Sequence, residues 1–263
     1  MTSAGAGAAR GGLPFVDAHL HVVDPRFPIV PNDGYVPAPF TVADYRRRTA
    51  GLGVVGGAVV SGSFQGTDQT YLLDALERLG PGFVGVTQVA PDVPDDELRR
   101  LAAHRVRAVR VNLRRGGPVG PADLDRLARR AHDVAGLHTE LYVDARDLDG
   151  LAPVVGALPA VVVDHLGLHR DGLPHLLALV ARGVRVKATG FGRVGLDVRE
   201  AVRAVLAVDP TALVAGTDLP STRAPRPFED ADLDLLVEEA GEHARAVLHD
   251  NAVALYRLRP DGS

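Results

Sequence analysis

Eight short runs rich in Val, Leu and Ala recur along the chain, near 15–22, 56–63, 83–89, 107–113, 138–144, 160–166, 185–190 and 212–218. Between them lie stretches with Ala, Leu and Arg at helical spacing, among them Asp95–His104, Pro121–Gly136 and Leu196–Val208. Several of these open on helix-start signals: Thr41 ahead of Asp44, Thr67-Asp68 ahead of Tyr71–Leu79, and Pro94-Asp95-Asp96-Glu97. Strands that alternate with helices pair in parallel, because each helix returns the chain to the edge where the last strand began. A count of eight favours closure of that sheet on itself. The expected fold class is therefore α/β: a single, slightly distorted (β/α)8 TIM barrel with a C-terminal closing helix at about His243–Leu258. An open doubly wound sheet is the alternative, but no G-x-G-x-x-G turn follows the first strand. The domain is expected over 13–260, with the Ala/Gly-rich residues 1–12 as a flexible tail. The connection Val23–Phe40 holds five prolines and no helical pattern, so it is expected to fold over one barrel mouth.

Composition narrows the class of function. A formal net charge of −4 over 263 residues offers no basic surface for nucleic acid and no polybasic membrane signal. No apolar run reaches the length of a membrane span, and the first residues lack a signal-peptide core, so the cytoplasm is the expected location. The chain has no cysteine, which excludes disulfides and thiolate chemistry. Of its 29 basic residues only Lys187 is lysine, and it falls inside a strand.

Side chains alternate along a strand with period two. In the first run, Phe15, Asp17, His19 and His21 are expected on one face and Val16, Ala18, Leu20 and Val22 on the other. Two imidazoles at i and i+2 can share a metal ion or one substrate, or they can simply pack. Arg110 and Asn112, Glu140 and Tyr142, and Arg185, Lys187 and Thr189 alternate in the same way with apolar neighbours. The polar sets are expected to point into the barrel, collecting His19, His21, Ser61, Arg110, Tyr142, His165, Lys187 and Asp218 there. An unpartnered polar group in that interior costs roughly 1–3 kcal/mol, so these groups must satisfy one another or act. Asp17, Glu140 and Lys187 are expected to form a deep structural ion-pair layer. Groups at the C-terminal strand ends sit where barrels place their chemistry. A Ser–His–Asp hydrolase is disfavoured, because neither Ser61 nor Ser63 lies in a G-x-S-x-G elbow.

Two histidines on the first strand, His165 ending the sixth and Asp218 ending the eighth resemble the amidohydrolase superfamily. The supporting text is Val16-Asp17-Ala18-His19-Leu20-His21, Gly66-Thr67-Asp68, Val109-Arg110-Val111-Asn112-Leu113, Asp164-His165-Leu166-Gly167 and Gly216-Thr217-Asp218. Within that superfamily the chain looks most similar to the 2-pyrone-4,6-dicarboxylate lactonase group. It departs at Leu219-Pro220-Ser221, where relatives commonly show Trp-Pro-His. The resemblance implies a hydrolase that opens a lactone, or a related ring ester or amide, on a small carboxylated substrate. Asp218 would be the base that activates water, and His19, His21 and His165 would surround the carbonyl. Arg110, Arg114 or Arg115, and Arg193 would grip substrate carboxylates, with Ser61, Ser63 and Tyr142 completing that pocket. Some members of the superfamily hold zinc, whereas the pyrone lactonases are thought to work without metal. The expectation is no tightly bound metal; a divalent ion such as zinc, if bound, would use His19, His21, His165 and Asp218. A metal-dependent decarboxylase and a degenerate non-catalytic barrel are the alternatives. No nucleic-acid or membrane partner is expected, and monomer and homo-oligomer stay open.

Overall fold

The computed structural model describes residues 12–258. Nearly all of the expected tail and residues 259–260 of the expected domain lie outside that range. Eight parallel strands run in chain order: β1 (Phe15–Leu20), β2 (Val54–Val60), β3 (Phe83–Thr87), β4 (Val106–Asn112), β5 (His138–Tyr142), β6 (Val161–Val163), β7 (Arg185–Ala188) and β8 (Leu213–Ala215). The ring closes just past β8, where Asp218 N–H donates to the His19 carbonyl and His21 N–H to that of Leu219, both at 2.7 Å. The outer layer comprises α1 (Val42–Thr49), α2 (Thr70–Leu79), α3 (Asp95–Ala103), α4 (Pro121–Ala135), α5 (Leu148–Val155), α6 (Leu173–Val180), α7 (Val198–Val208) and α8 (Asp230–Ala240). Thr41 and Asp44 form a reciprocal capping box at the start of α1, as their spacing predicts. None of these helices is long and apolar enough to cross a membrane among the described residues.

A π-helical turn at Ala246–Asp250 leads into α9 (Asn251–Tyr256), which plugs the barrel floor. Tyr256, Ala252 and Leu255 pack against Val16, Ala18, Ala58, Val84, Ala108, Val162 and Val214 inside the barrel. The Tyr256 hydroxyl donates to the Ala18 carbonyl at 3.1 Å and to Glu140 at 2.8 Å, so the plug is tied to both β1 and β5.

Strand one does not keep a single alternation. Its register with β2 shifts between Asp17 and Leu20. Val16 and Ala18 face the interior, whereas Phe15, Leu20 and Val22 join the sheet–helix core. A bulge of this kind inserts one residue and flips every side chain after it. His19 and His21 still share the inner face, but Asp17 does not lie below them. Its carboxylate accepts from Thr217 N–H at 2.8 Å, Thr217 Oγ1 at 2.7 Å, His19 N–H at 3.2 Å and Tyr45 OH of α1 at 3.0 Å. Asp17 is therefore no member of the ion-pair layer, and instead joins β1 to the end of β8. Gly216 makes that seam possible, since a Cβ there would stand 2.7 Å from the His19 nitrogen.

Burial pushes the Asp17 carboxyl up to about 6, against these donors. The folded protein thus holds this proton more tightly than the unfolded chain. The stability it contributes is fully present below about pH 4 and is lost as pH rises through about 6. Denaturant titrations of wild type and Asp17→Asn should show the difference between them moving by about 2 kcal/mol in favour of the variant from pH 4 to pH 7. A difference that is constant with pH would contradict the assignment.

Candidate active site

The strand ends were expected too far along at the sites that matter. β6 stops at Val163 and β8 at Ala215, because His165 and Asp218 adopt left-handed backbone angles (φ 53° and 59°) that no ladder accommodates. Both residues sit on turns just beyond the strands. Such strained positions recur at functional sites.

Four ligand-type atoms converge there. Asp218 Oδ1 lies 3.5 Å from His21 Nε2, 3.8 Å from His19 Nε2 and 4.0 Å from His165 Nε2. All four side chains are buried, and among the described residues neither Asp218 Oδ1 nor His19 Nε2 has a hydrogen-bond partner. The far ring nitrogens are held: His21 Nδ1 by the Val60 carbonyl at 2.7 Å, and His165 Nδ1 by Thr189 Oγ1 at 2.7 Å. His19 Nδ1 faces Lys187 Nζ at 3.3 Å and Asp164 Oδ1 at 3.4 Å. Because a carbonyl only accepts, His21 carries a proton on Nδ1, and its Nε2 is turned towards Asp218.

The charges of the site are paired from below. Lys187 donates to Glu140 and stands 3.7 Å from Asp164. Asp164 Oδ2 takes two bonds from Arg110, Nε at 3.1 Å and Nη2 at 2.8 Å. Arg193 grips Asp218 Oδ2 through Nε at 2.9 Å and through Nη2, and reaches the Thr222 carbonyl at 3.0 Å. Burial raises the Asp218 carboxyl, but attraction from Arg193 outweighs it and holds the group well below the usual range. Asp164 is likewise kept ionised against its burial by Arg110 and Lys187. Burial pushes His165 down to about 3 and His19 well below its ordinary value, Asp218 and Asp164 opposing only in part, so both rings are neutral near pH 7.

Among the residues expected here, Ser63, Tyr142, Arg110, Arg115 and Arg193 line the same mouth as His21 and His165. Tyr142 meets His165 edge-on at 5.2 Å and lies beneath Arg110 at 5.2 Å. One expectation fails. Ser61 follows inward-facing Val60 and so points out to the helices, bonding Tyr71 OH at 2.6 Å and Thr87 Oγ1 at 3.4 Å; only its carbonyl takes part, accepting from Arg110 at 2.8 Å. Of Arg114 and Arg115, which were offered as alternatives, Arg115 lines the mouth, while exposed Arg114 lines an adjoining outer groove with Arg146 and His169. Arg110 and Arg193, expected to grip substrate carboxylates, hold Asp164 and Asp218.

Three contributors were missed. Asp164 shares inward parity with Val162, so its place was readable from the strand pattern. Arg223 and Asn32 lie on loops, where no periodicity predicts direction. Asn32 gathers the mouth together: its Oδ1 accepts from Ser63 Oγ and Arg223 Nη1, each at 3.0 Å, and its Nδ2 donates to the Arg115 carbonyl at 3.4 Å. Val23 and Phe40 pair across the base of the 23–40 segment, which does fold over the mouth. The cavity below it is open on one side and adjoins a second cavity of about 320 Å³, which Arg115, Tyr142, Arg193 and Arg223 also line.

The donor set fits a single divalent ion. Ligands at about 2.1 Å in a tetrahedron stand about 3.4 Å apart, near the His21–Asp218 separation, and an ion would satisfy both orphaned atoms. His19, Asp164 and His165 form a second such group. Lys187 and Arg110 already neutralise Asp164, so a second cation there would meet two existing ones.

The profile of the Amidohydro_2 family, described as amidohydrolase, matches residues 16–258. The chain belongs to the amidohydrolase family. A 2-pyrone-4,6-dicarboxylate hydrolase of Comamonas testosteroni is 36% identical over 157 residues, which is 58% of this chain and 51% of that protein. The chain thus matches about half the length of that relative. A 4-sulfomuconolactone hydrolase of Hydrogenophaga intermedia is 25% identical over 91% of this chain and 88% of its own. The fold is shared with the apo crystal structure of Agrobacterium tumefaciens ATU3138, with a TM-score of 0.84 at 24% identity, covering 94% of this chain and 97% of that one. This amidohydrolase keeps the inward histidine pair, the sixth-strand histidine and the eighth-strand aspartate in one cluster.

Proposed function

We infer that the protein hydrolyses the lactone of a small carboxylated substrate, with Asp218 as the base for water. The observation that carries this reading is the orphaned Asp218 Oδ1, ringed by three imidazole Nε2 atoms at 3.5–4.0 Å. A water donating to Asp218 Oδ1, and to His21 Nε2 when that ring is neutral, would sit between two atoms that otherwise face each other. When Lys187 donates to it, His19 accepts at Nδ1 and carries its proton on Nε2. His165 does the same when the Thr189 hydroxyl donates to its Nδ1. His19 and His165 then present N–H groups to the carbonyl oxygen as it gains negative charge, while Asp218 takes the proton from water as water oxygen bonds to the carbonyl carbon; the bond from that carbon to the ring oxygen then breaks, and the proton on Asp218 passes to the leaving ring oxygen. The names of the two lactone hydrolases support a ring ester as substrate, and the arginine-rich mouth supports an acidic one.

A divalent ion held by His19, His21 and Asp218 would supply Lewis-acid polarisation of the same carbonyl. We favour turnover without one. The buried groups Arg110, Lys187 and Arg193 are matched by Glu140, Asp164 and Asp218, so the site's charge balances as it stands. The purified protein should consume 2-pyrone-4,6-dicarboxylate or another carboxylated lactone, followed as loss of ring absorbance, with equal rates before and after chelation. Stoichiometric zinc with chelator-sensitive turnover would overturn the metal-free reading. Release of CO₂ in place of ring opening would overturn hydrolysis itself.

A further inference from the structure

His165 turns Nε2 towards Asp218, and its far nitrogen, Nδ1, meets the Thr189 hydroxyl at 2.7 Å. Thr189 lies one residue past β7, and both side chains are buried. Among the described residues this is the hydroxyl's only hydrogen bond. The backbone around it is shaped for the contact. Gly190 follows in the left-handed region (φ 62°), and a Cβ there would stand 2.8 Å from His165 Nδ1. The Thr189 methyl lies against Gly216, where a Cβ would stand 2.8 Å from it. A β-branched side chain has few rotamers, so seating its methyl aims its hydroxyl at the ring. The direction of the bond follows from counting protons. If His165 Nδ1–H donated to Oγ1, the hydroxyl proton would be buried with no acceptor, which an interior tolerates poorly. If the hydroxyl donates to Nδ1, every proton is placed. The ring then carries its own on Nε2, 4.0 Å from the ionised and otherwise unpartnered Asp218 Oδ1, where negative charge favours an N–H over a lone pair. His21 shows the opposite arrangement, since its Nδ1 meets a carbonyl and must donate to it.

We propose that Thr189 is a positioning residue for the hydrolysis: its hydroxyl donates to His165 Nδ1, fixes the ring as the Nε2–H tautomer and aims that N–H at the substrate carbonyl oxygen. Thr189 does not line the cavity, so it acts through His165. What the N–H meets rests on the hydrolase reading, whereas the tautomer is a property of the free protein.

Long-range proton–nitrogen NMR spectra of the labelled full chain report which ring nitrogen carries the proton, with the His165 signals assigned by their loss in His165→Gln. Wild type should show His165 protonated on Nε2 at neutral pH. A ring protonated on Nδ1, or an even mixture of the two forms, overturns the proposal. Thr189→Val keeps the branched shape and removes the hydroxyl. On a lactone that wild type opens, it should lower kcat by about tenfold to a hundredfold and leave KM within about twofold. Thr189→Ser restores the donor without the methyl and should return kcat to within about threefold of wild type. A valine variant as fast as wild type, or a serine variant as slow as the valine one, overturns the assignment and marks the position as packing only. Should the valine variant fail to fold, the wild-type spectrum and the serine variant still decide. An Nε2–H ring without lactone turnover would remove the hydrolase reading and leave the Thr189 contact standing. Turnover with His165 protonated on Nδ1 would do the reverse.

Discussion

Asp218→Asn is expected to lower kcat on any lactone the enzyme opens by about a thousandfold or more, near the upper end of what a general base contributes. The amide keeps one oxygen for Arg193 but cannot take a proton from water. Its nitrogen would replace Oδ1, the atom that stands 3.5 Å from His21 Nε2. The change also removes the countercharge of Arg193, which is buried against it. Breaking a buried pair in this way costs up to about 3–5 kcal/mol, so some loss of melting temperature should accompany the loss of rate. Circular dichroism and the melting curve separate the effects, since a folded variant keeps its secondary structure and a cooperative transition. A folded variant that turns over at more than about a hundredth of the wild-type rate would remove Asp218 from the role of base.

Lys187→Met should produce the largest loss of stability. The lysine is wholly buried and donates to Glu140, with Asp164 at 3.7 Å and His19 Nδ1 at 3.3 Å. Methionine fills similar space but leaves two buried carboxylates facing each other without the cation between them. The expected cost is about 3–5 kcal/mol, a large share of a normal folding free energy, and roughly 10 °C in Tm. Adding Glu140→Gln removes one of the stranded charges and should recover part of the loss. A single variant that melts within a degree or two of wild type would show the layer to be dispensable. The substitution also removes the donor that fixes the His19 tautomer, so activity should fall even in the rescued double variant.

The fold was legible because its signal is repetitive. Eight apolar runs separated by amphipathic segments admit few parallel arrangements, and each element supports the others. The inward parity of Arg110, Tyr142 and Lys187 followed from alternation alone, because β4, β5 and β7 are regular. The same rule misplaced Asp17, since one bulge in β1 reverses parity and nothing in the letters marks it. It misplaced Ser61 as well, whose neighbour Val60 holds the inward position.

What the sequence determined by itself was a parallel barrel with the paired histidines, His165 and Asp218 at one end of it. Strand order and period-two alternation are local rules, and local rules survive translation into three dimensions. What only the tertiary structure decided was which arginine is free. Arg110, Arg114, Arg115, Arg193 and Arg223 carry the same charge and cannot be ranked by type. Arg110 and Arg193 are neutralised by Asp164 and Asp218, residues 54 and 25 positions away, and Arg223 is turned into the mouth by Asn32, 191 positions away. The availability of a charge depends on the carboxylate that reaches it, and that distance exists only once the chain has folded.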